Sequence, residues 1–385
     1  MLTLKIPMIK IIAILSVMPF AVFSQKKETW IEKPKEQWPT IALVNEVLYK
    51  NGDTYEDPSL REIGYAGTGF LIDTGKDTLA VTAKHVLWIA RNRKSNTVNI
   101  NDDLEKWIMR PKSSTNVILM DKLLNEDNKE VLVGEESTIM ERDWLIFSIK
   151  KTPKEVHPLK VRYIPLKPGE KIYRISNPYQ SKTTVIYESR VIRTEGTDIF
   201  METDTTRLKP GSSGSPVIDA NGYLVGIQSS AFGDPKTGKD VEIAVSTSYL
   251  QAFLQGKKGY NEPKKSVSEK LYAIIKKEGV DAAIDTFKKM NATKEDYFIY
   301  NLRIGNQELS RLGSKLLETG EIISAVKVFE FNVNMHPGWD AWNDLGRGYV
   351  LLKEKDKAKE AYEKSMKLYK NEEATEALEK LKSSH

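Results

Sequence analysis

The segment Lys209-Pro210-Gly211-Ser212-Ser213-Gly214-Ser215-Pro216-Val217-Ile218 joins a loop of small residues to an apolar, β-branched strand. Gly211 and Gly214 bracket Ser213, so the backbone can turn sharply and no large side chain crowds the hydroxyl group. An exposed nucleophile needs such a loop, with neighbouring backbone N–H groups that face one point in space. A flexible turn has the same composition, so the interpretation of Ser213 depends on residues earlier in the chain.

Length and composition limit the possible classes of protein. A chain of 385 residues with 29% charged and 40% hydrophobic residues is typical of two globular domains. The net charge of +5 is spread along the chain without a dense basic stripe, so we expect no nucleic-acid partner. The sequence has no His-Glu-x-x-His motif, phosphate-binding loop or calcium-loop spacing, so we also expect no metal ion and no cofactor.

Residues 1–24 have the pattern of a secretory signal peptide. Lys10 precedes an apolar run that extends from Ile11 to Phe23, and Val22 and Ser24 are the small residues that a signal peptidase accepts. The run is shorter than the ~20 residues of a membrane-spanning helix, so we expect no stable membrane anchor. Cysteine is absent, which excludes disulfides and thiolate chemistry. We therefore expect an exported protein, periplasmic or secreted, of bacterial type.

Residues 25–255 are predicted to be all-β. Short apolar segments begin near Trp38, and after Pro165 they recur every ~8–12 residues, the spacing of a β-sandwich or barrel. The pair Asn51-Gly52 predicts a hairpin turn after the first strand-like segments. The stretch from Ser246 to Leu254 predicts a helix that closes this domain.

Residues 256–265 are polar and rich in Gly, Pro and Lys, which is typical of a linker. From residue 266 to residue 385 the apolar period becomes helical. Leu312-Gly313 and Phe329 recur as Leu345-Gly346 and Tyr362, a spacing of about 33 residues, which predicts tetratricopeptide-like helical hairpins that bind a protein partner. A fainter copy around Phe287 predicts a degenerate first hairpin. An ordinary helical bundle is the alternative.

His85, Asp143 and Ser213 are the candidate catalytic residues. A serine hydroxyl becomes an effective nucleophile when a base removes its proton during attack. An imidazole can do this near neutral pH, while a carboxylate on the other ring nitrogen fixes its tautomer. His85 follows a β-branched segment that predicts a buried strand, and Asp143 precedes another apolar strand. Both positions can therefore hold a side chain firmly.

Other residues of the same types compete for these roles. The sequence has four histidines, and the three besides His85 lie in a polar loop, in the helical half and at the last position: His157, His336 and His385. The competing carboxylates lie in more turn-like or polar surroundings: Asp73, Asp102 and Asp103. Ser215 is the second serine of the glycine-flanked loop.

The chain resembles the chymotrypsin-like serine peptidases in the order His, Asp, Ser and in three segments: Gly67-Thr68-Gly69-Phe70, Thr82-Ala83-Lys84-His85 and Gly211-Ser212-Ser213-Gly214-Ser215-Pro216. The cysteine-free bacterial branch, with glutamyl endopeptidases and high-temperature-requirement proteases, is the most similar. The resemblance covers about residues 38–254. It implies two six-stranded antiparallel barrels with the active site between them, followed here by the helical domain.

This resemblance also implies roles for individual residues. His85, Asp143 and Ser213 correspond to the catalytic triad, and Ser213 rather than Ser215 to the nucleophile. The backbone N–H groups of Gly211 and Ser213 would form the oxyanion hole. The strand edge that pairs with a substrate backbone would be Gln228, Ser229 and Ser230.

Three departures from the family pattern bear on these roles. Ser212 replaces the usual Asp or Asn. The segment before the loop, residues 207–210, is about one residue longer than in high-temperature-requirement proteases, which can reshape the specificity pocket. Gln228 stands where glutamyl endopeptidases carry a histidine, so no preference for glutamate is assigned.

Together these patterns predict an exported serine endopeptidase that acts on proteins or peptides and carries partner-binding helical repeats. An inactive peptidase-like scaffold that works through its repeats is the alternative. An esterase or acyl transferase with the same triad is a third possibility, but such enzymes mostly use a Gly-x-Ser-x-Gly elbow on an α/β sheet.

Overall fold

The computed structural model describes residues 26–383, apart from residues 93, 95, 96, 99, 101–103, 126–130, 135–136, 152, 203–208 and 234–239. The predicted signal peptide, Asp102, Asp103 and His385 therefore lie outside the described residues. Within the described part, no helix has the length and apolar character that crossing a bilayer requires.

The first barrel consists of six antiparallel strands: β1 Leu43–Tyr49, β2 Thr68–Asp73, β3 Thr78–Thr82, β4 Leu104–Arg110, β5 Ile118–Leu123 and β6 Leu145–Ile149. Their order is β1-β4-β5-β6-β3-β2, and a β1–β2 pairing closes the ring. A short strand, β7 (Leu159–Lys160), adds to β2 in parallel. Closure leaves few unpaired strand edges.

The second barrel also has six antiparallel strands: β8 Lys171–Ser176, β9 Val185–Glu195, β10 Asp198–Glu202, β11 Pro216–Asp219, β12 Leu224–Gly233 and β13 Asp240–Ser246. They close in the order β10-β13-β12-β11-β8-β9. A turn at Asn221-Gly222 joins β11 to β12, and Gly222 supplies the positive φ of +90°. Apolar residues of both barrels form one core where the barrels meet.

The hairpin turn expected at Asn51-Gly52 is wrong. The chain leaves β1 through a single 3₁₀ turn and then forms a helix, α1 (Pro58–Ile63), while β1 pairs with β4 and β2 instead of a neighbour across the turn. Asp57 caps the helix by accepting a hydrogen bond from the N–H of Ser59 at 2.8 Å, and Pro58 opens it. These helix-start residues outweigh the local turn signal.

Two short helices flank strands of the β region: α2 (Val86–Ile89) after β3 and α3 (Ser248–Leu254) after β13. The C-terminal region contains the remaining helices: α4 Val267–Glu278, α5 Val280–Ala292, α6 Asp296–Ile299, α7 Gly305–Glu318, α8 Ile322–Met335, α9 Trp339–Leu351, α10 Lys355–Leu368 and α11 Glu372–Ser383. The double antiparallel barrel followed by a helical region confirms the predicted fold class.

The helices pack as successive neighbours, and two glycines show why the 33-residue spacing matters. A Cβ atom on Gly313 would overlap the ring of Phe329, and one on Gly346 would lie 2.8 Å from the ring of Tyr362. Each glycine therefore lets the ring of the following helix approach its backbone. The recurrence of this contact between α7 and α8 and between α9 and α10 explains the recurrence in the sequence.

Candidate active site

His85 lies between the end of β3 and the start of α2. The apolar, β-branched sequence of β3 is buried, so the strand fixes the backbone that leads to His85. His85 is only 2% exposed, and its backbone starts the short helical turn by accepting from the N–H of Trp88 at 3.0 Å. The imidazole therefore stands on rigid backbone rather than on a mobile loop.

Asp143 lies directly opposite, because β3 and β6 pair antiparallel with Thr82 facing Leu145. Asp143, two residues before Leu145, therefore lies at the same end of the strand pair as His85, three residues after Thr82. Asp143 Oδ2 is 2.7 Å from His85 Nδ1, and Oδ1 accepts from the His85 backbone N–H at 2.9 Å. Both contacts are buried, so the carboxylate fixes the position of the ring.

Ser229 on the second barrel completes the surroundings of this carboxylate. Pairing between β12 and β13 shifts at this point, with Gln228 opposite Ala244 and Ser230 opposite Ile243. The extra residue of this bulge is Ser229, and its hydroxyl donates to Asp143 Oδ2 at 2.5 Å. The sequence assigned Ser229 to substrate binding and missed this contact, because a register shift leaves no signal in one strand's composition.

The charge of Asp143 depends on these neighbours. Complete burial by itself raises the pKa of the carboxyl group, but the charge of His85 and hydrogen bonds from His85 and Ser229 outweigh it and lower the pKa below its ordinary value. Asp143 is therefore ionised at neutral pH. It can stabilise a positive charge that forms on the imidazole ring.

We expect Ser229→Ala to lower kcat about tenfold with little change in KM. The substitution removes one hydrogen bond to a buried charge, a contribution of about 1.5–3 kcal/mol that acts on the position of Asp143. Steady-state kinetics on a peptide substrate would measure it. Ser189→Ala is the matched control, because its hydroxyl, on β9 of the same barrel, donates to the carbonyl oxygen of Glu202 away from the site. Equal losses in both variants would contradict a specific role for the Ser229 hydroxyl.

The Lys209–Ser215 loop, between β10 and β11, is fixed to the first barrel by Thr68. The Thr68 backbone N–H donates to the carbonyl oxygen of Ser213 at 2.8 Å, and its hydroxyl donates to the carbonyl oxygen of Gly211 at 2.8 Å. Thr68 opens β2, whose next residue, Gly69, pairs with Thr82 of β3. The loop that carries Ser213 is thus bound beside the strand that leads to His85.

Gly67 and Gly214 allow this close approach. A Cβ atom on Gly67 would lie 2.8 Å from the carbonyl oxygen of Ser213 and 2.9 Å from Val86 Cγ2, so Ser213 and the residue after His85 flank one glycine. Gly214 has a φ of +82°, and a Cβ atom there would overlap the carbonyl oxygen of Thr68. These contacts place the backbone of the Ser213 loop beside the segment that begins at His85, at the junction of the two barrels.

Ser213 and Ser215 have different environments. Ser215 is fully buried, and its hydroxyl donates to Ser176 Oγ at 2.8 Å. Ser213 is partly exposed. These environments favour Ser213 over Ser215 as the nucleophile.

The sequence predicts an oxyanion hole formed by the backbone N–H groups of Gly211 and Ser213. Gly211 has a φ of +95°, and its Cα faces the ring of Tyr179, so a side chain there would meet Tyr179 Cδ1 at 2.7 Å. Among the described residues, none accepts a hydrogen bond from the backbone N–H of Gly211 or of Ser213. These two donors are the ones that the sequence proposed for an oxyanion hole.

The predicted substrate strand is partly occupied by contacts within the protein. The Gln228 backbone N–H donates to Ser215 at 2.8 Å, and its carbonyl oxygen accepts from Gly214 at 2.9 Å. Its buried side chain donates from Nε2 to the carbonyl oxygen of Ser230 at 2.9 Å. Gln228 therefore positions the loop of Ser213, and pairing of Ser229 and Ser230 with a substrate backbone stays a prediction.

The competing residues are used elsewhere. Asp73 ends β2 and accepts from the N–H of Gly75 in a turn, at 2.8 Å. The His157 ring packs edge-on against Trp30, with ring centroids 5.4 Å apart, and burial lowers its pKa. His336 lies in the helical region, after α8. Among the described histidines, His85 alone contacts a carboxylate within hydrogen-bond distance.

Two closed antiparallel barrels with a buried imidazole–carboxylate pair at their junction define a chymotrypsin-like fold. Residues 67–227 match the family model described as the trypsin-like peptidase domain. The matched segment contains His85, Asp143 and Ser213, and the family implies a hydrolase that acts on protein or peptide substrates. A search of curated proteins found no significant match. The similarity to glutamyl endopeptidases and high-temperature-requirement proteases stays a prediction, as does the tetratricopeptide-like nature of the helices.

Proposed function

We propose that this protein is an exported serine endopeptidase that uses Ser213, His85 and Asp143 through an acyl-enzyme intermediate. One observation carries the proposal: a fully buried carboxylate holds the His85 Nδ1 at 2.7 Å, at the point where the Ser213 loop is bound to the first barrel. A buried charge of this kind is costly unless it is paired. Here the carboxylate is paired with the imidazole ring and can fix its tautomer, which supports a catalytic role.

The chemistry follows from the positions of these groups. Ser213 Oγ attacks the carbonyl carbon of the scissile bond while His85 Nε2 takes the hydroxyl proton. The electron pair of the carbonyl bond moves to its oxygen, where the N–H groups of Gly211 and Ser213 stabilise the negative charge. The intermediate then expels the amine, which takes the proton from His85, and leaves an ester on Ser213.

A water molecule completes the cycle. It attacks the ester carbon while His85 Nε2 takes its proton, and the second tetrahedral intermediate releases the carboxylic acid as the proton returns to Ser213 Oγ. Asp143 stays ionised throughout and stabilises the imidazolium ion in both steps. Its lowered pKa supports this role.

Export and partner binding complete the proposal. The signal pattern of residues 1–24 supports secretion or a periplasmic location. The successive helical hairpins support binding of a protein, either a substrate, a regulator or a second copy of this chain. In the alternative function, a scaffold, the same hairpins act without hydrolysis.

Labelling of the folded protein with a fluorophosphonate probe tests the proposal. We expect the protein without its signal segment to become covalently labelled at neutral pH, and peptide mapping by mass spectrometry to place the label on Ser213. Heat-denatured protein is the control, since labelling requires the folded site. Digestion of a peptide library by the same sample would then define the cleavage preference. A native sample that neither labels nor cleaves would favour the scaffold.

A further inference from the structure

The turn that immediately precedes Asp143 is held by the C-terminal part of the chain. Residues Met140–Arg142 form a 3₁₀ turn in which Glu141 is 2% exposed and Arg142 is 3% exposed. Charged residues this deeply buried need partners. Their three partners come from sequence positions more than one hundred residues away, beyond the second barrel.

Arg142 is anchored by backbone carbonyl groups. Its Nη2 donates to the carbonyl oxygen of Glu262 at 2.7 Å and to that of Phe298, in α6, at 2.5 Å. One guanidinium group thus joins the turn to both the segment before α4 and the helix α6. Both N–H groups of this one nitrogen are used, and the planar guanidinium group fixes their directions, whereas a lysine ammonium group rotates freely.

Glu141 is anchored by a buried ion pair. Its Oε1 is 2.6 Å from Nζ of Lys264, whose side chain is 9% exposed. Lys264 lies in the segment that the sequence indicated as a linker, and the next residue, Lys265, pairs with α6 by donating its N–H to Ile299 at 2.8 Å. The segment is therefore fixed on both sides of Lys264, at Glu262 by Arg142 and at Lys265 by Ile299.

The same turn contacts the residues around the candidate base. Asp143 donates its backbone N–H to the carbonyl oxygen of Met140 at 3.1 Å, and Trp144 donates to that of Arg142 at 2.6 Å. The hydroxyl of Ser229, which also binds Asp143, is 3.6 Å from Met140 Sδ. A shift of the turn would therefore move Asp143 and its hydrogen bond to His85 together.

The helical region is in turn packed into the barrels. Phe298 is 1% exposed and belongs to the core shared by the two barrels. Its ring meets the ring of Tyr249 of α3 edge-on, with centroids 5.8 Å apart, and the ring of Tyr260 with centroids 5.1 Å apart. Helix α6 is thus part of the peptidase core rather than of a freely attached module.

We propose that Arg142 is a positioning residue through which α6 and the segment before α4 hold Asp143 in place against His85. The helical region would then contribute to the geometry of the candidate site. This inference rests on the proposed function, since it assigns a positioning residue to the same site.

The test is the variant Arg142→Met, which keeps the length of the side chain but removes its donors. A displacement of about 1 Å at a catalytic group costs up to about 100-fold in rate. We therefore expect the maximal rate of fluorophosphonate labelling to fall about 10- to 100-fold, with the half-saturating probe concentration unchanged within about twofold. Arg142→Lys should recover only part of the rate.

Two control variants lose contacts of the C-terminal region away from Asp143. Lys257→Met removes an exposed ion pair, 2.8 Å long, with Glu295, the residue before α6. Arg303→Met removes an anchor between the helical region and Asp198 of β10, at 2.7 Å. Both should label at rates within about twofold of the wild type. Equal losses in Arg303→Met and Arg142→Met would show that general loosening, not positioning, limits the rate.

A second measurement separates this inference from the proposed function. The His85 Nδ1 proton in the bond to Asp143 should give a low-field proton resonance, which Arg142→Met should shift or abolish and Lys257→Met should leave in place. If the wild type does not label, the proposed function fails, but the resonance still reports on positioning.

If Arg142→Met does not fold, the double variant Glu141→Gln/Lys264→Met removes both members of the buried pair and should also lower the labelling rate. A wild-type rate and an unchanged resonance in the folded variant would overturn the inference.

Discussion

Ser213→Ala should reduce kcat for peptide hydrolysis about 10⁶-fold and abolish labelling by a fluorophosphonate. Removal of the nucleophile alone costs a serine peptidase about as much as removal of the whole triad, because the three groups act as a unit. The substitution deletes one partly exposed hydroxyl group, so the folded structure should persist. Single-turnover hydrolysis and thermal unfolding of the same samples would measure both effects.

Ser215→Ala is the matched control, two residues further along the same loop. Its buried hydroxyl binds Ser176 Oγ, so the loss of one hydrogen bond should reduce stability by about 1 kcal/mol. Labelling should continue at a similar rate. If Ser215→Ala loses labelling and Ser213→Ala keeps it, the assignment of the nucleophile is reversed.

The sequence predicted the parts of this site that depend on local patterns. The β-branched strand before His85 and the apolar strand after Asp143 are both found, and their ends adjoin because β3 pairs with β6. Small residues in the Ser213 loop indicated a tight, exposed turn, and Gly211 and Gly214 have the positive φ that such a turn requires. The fold class followed from the same strand spacing combined with the resemblance.

Contacts between distant segments could not be read from local patterns. The Ser229 hydrogen bond depends on a one-residue shift between β12 and β13, and a shift of that kind turns a side chain toward the other face of the sheet. The contacts of Arg142 were also missed, because its partners are backbone carbonyl groups that any sequence provides. The Asn51-Gly52 turn failed because the capped helix that follows it competes for the same residues.

Asp143→Asn should lower kcat about 10⁴-fold while KM changes little. Asp143 accepts three hydrogen bonds, from the His85 backbone, from His85 Nδ1 and from Ser229. An asparagine has one acceptor oxygen, so its amide group must face some of these donors. When the amide faces Nδ1, the ring carries its proton on Nε2 and cannot accept the Ser213 proton. Steady-state kinetics across pH would measure the loss.

Asp73→Asn is the matched control, at the end of a strand in the same barrel, and its kcat should stay within about twofold of the wild-type value.

Asp143→Asn should also change the pH dependence of the free energy of unfolding. Because the folded pKa of Asp143 is lowered, its ionised form stabilises the protein above the ordinary pKa of about 3.9, and this contribution is lost as pH falls through the lower folded pKa. The stability difference between wild type and Asp143→Asn should therefore shrink as pH falls below about 4. A difference that grows below about pH 4, or Asp73→Asn kinetics as poor as those of Asp143→Asn, would contradict the role of Asp143 as the ionised partner of His85.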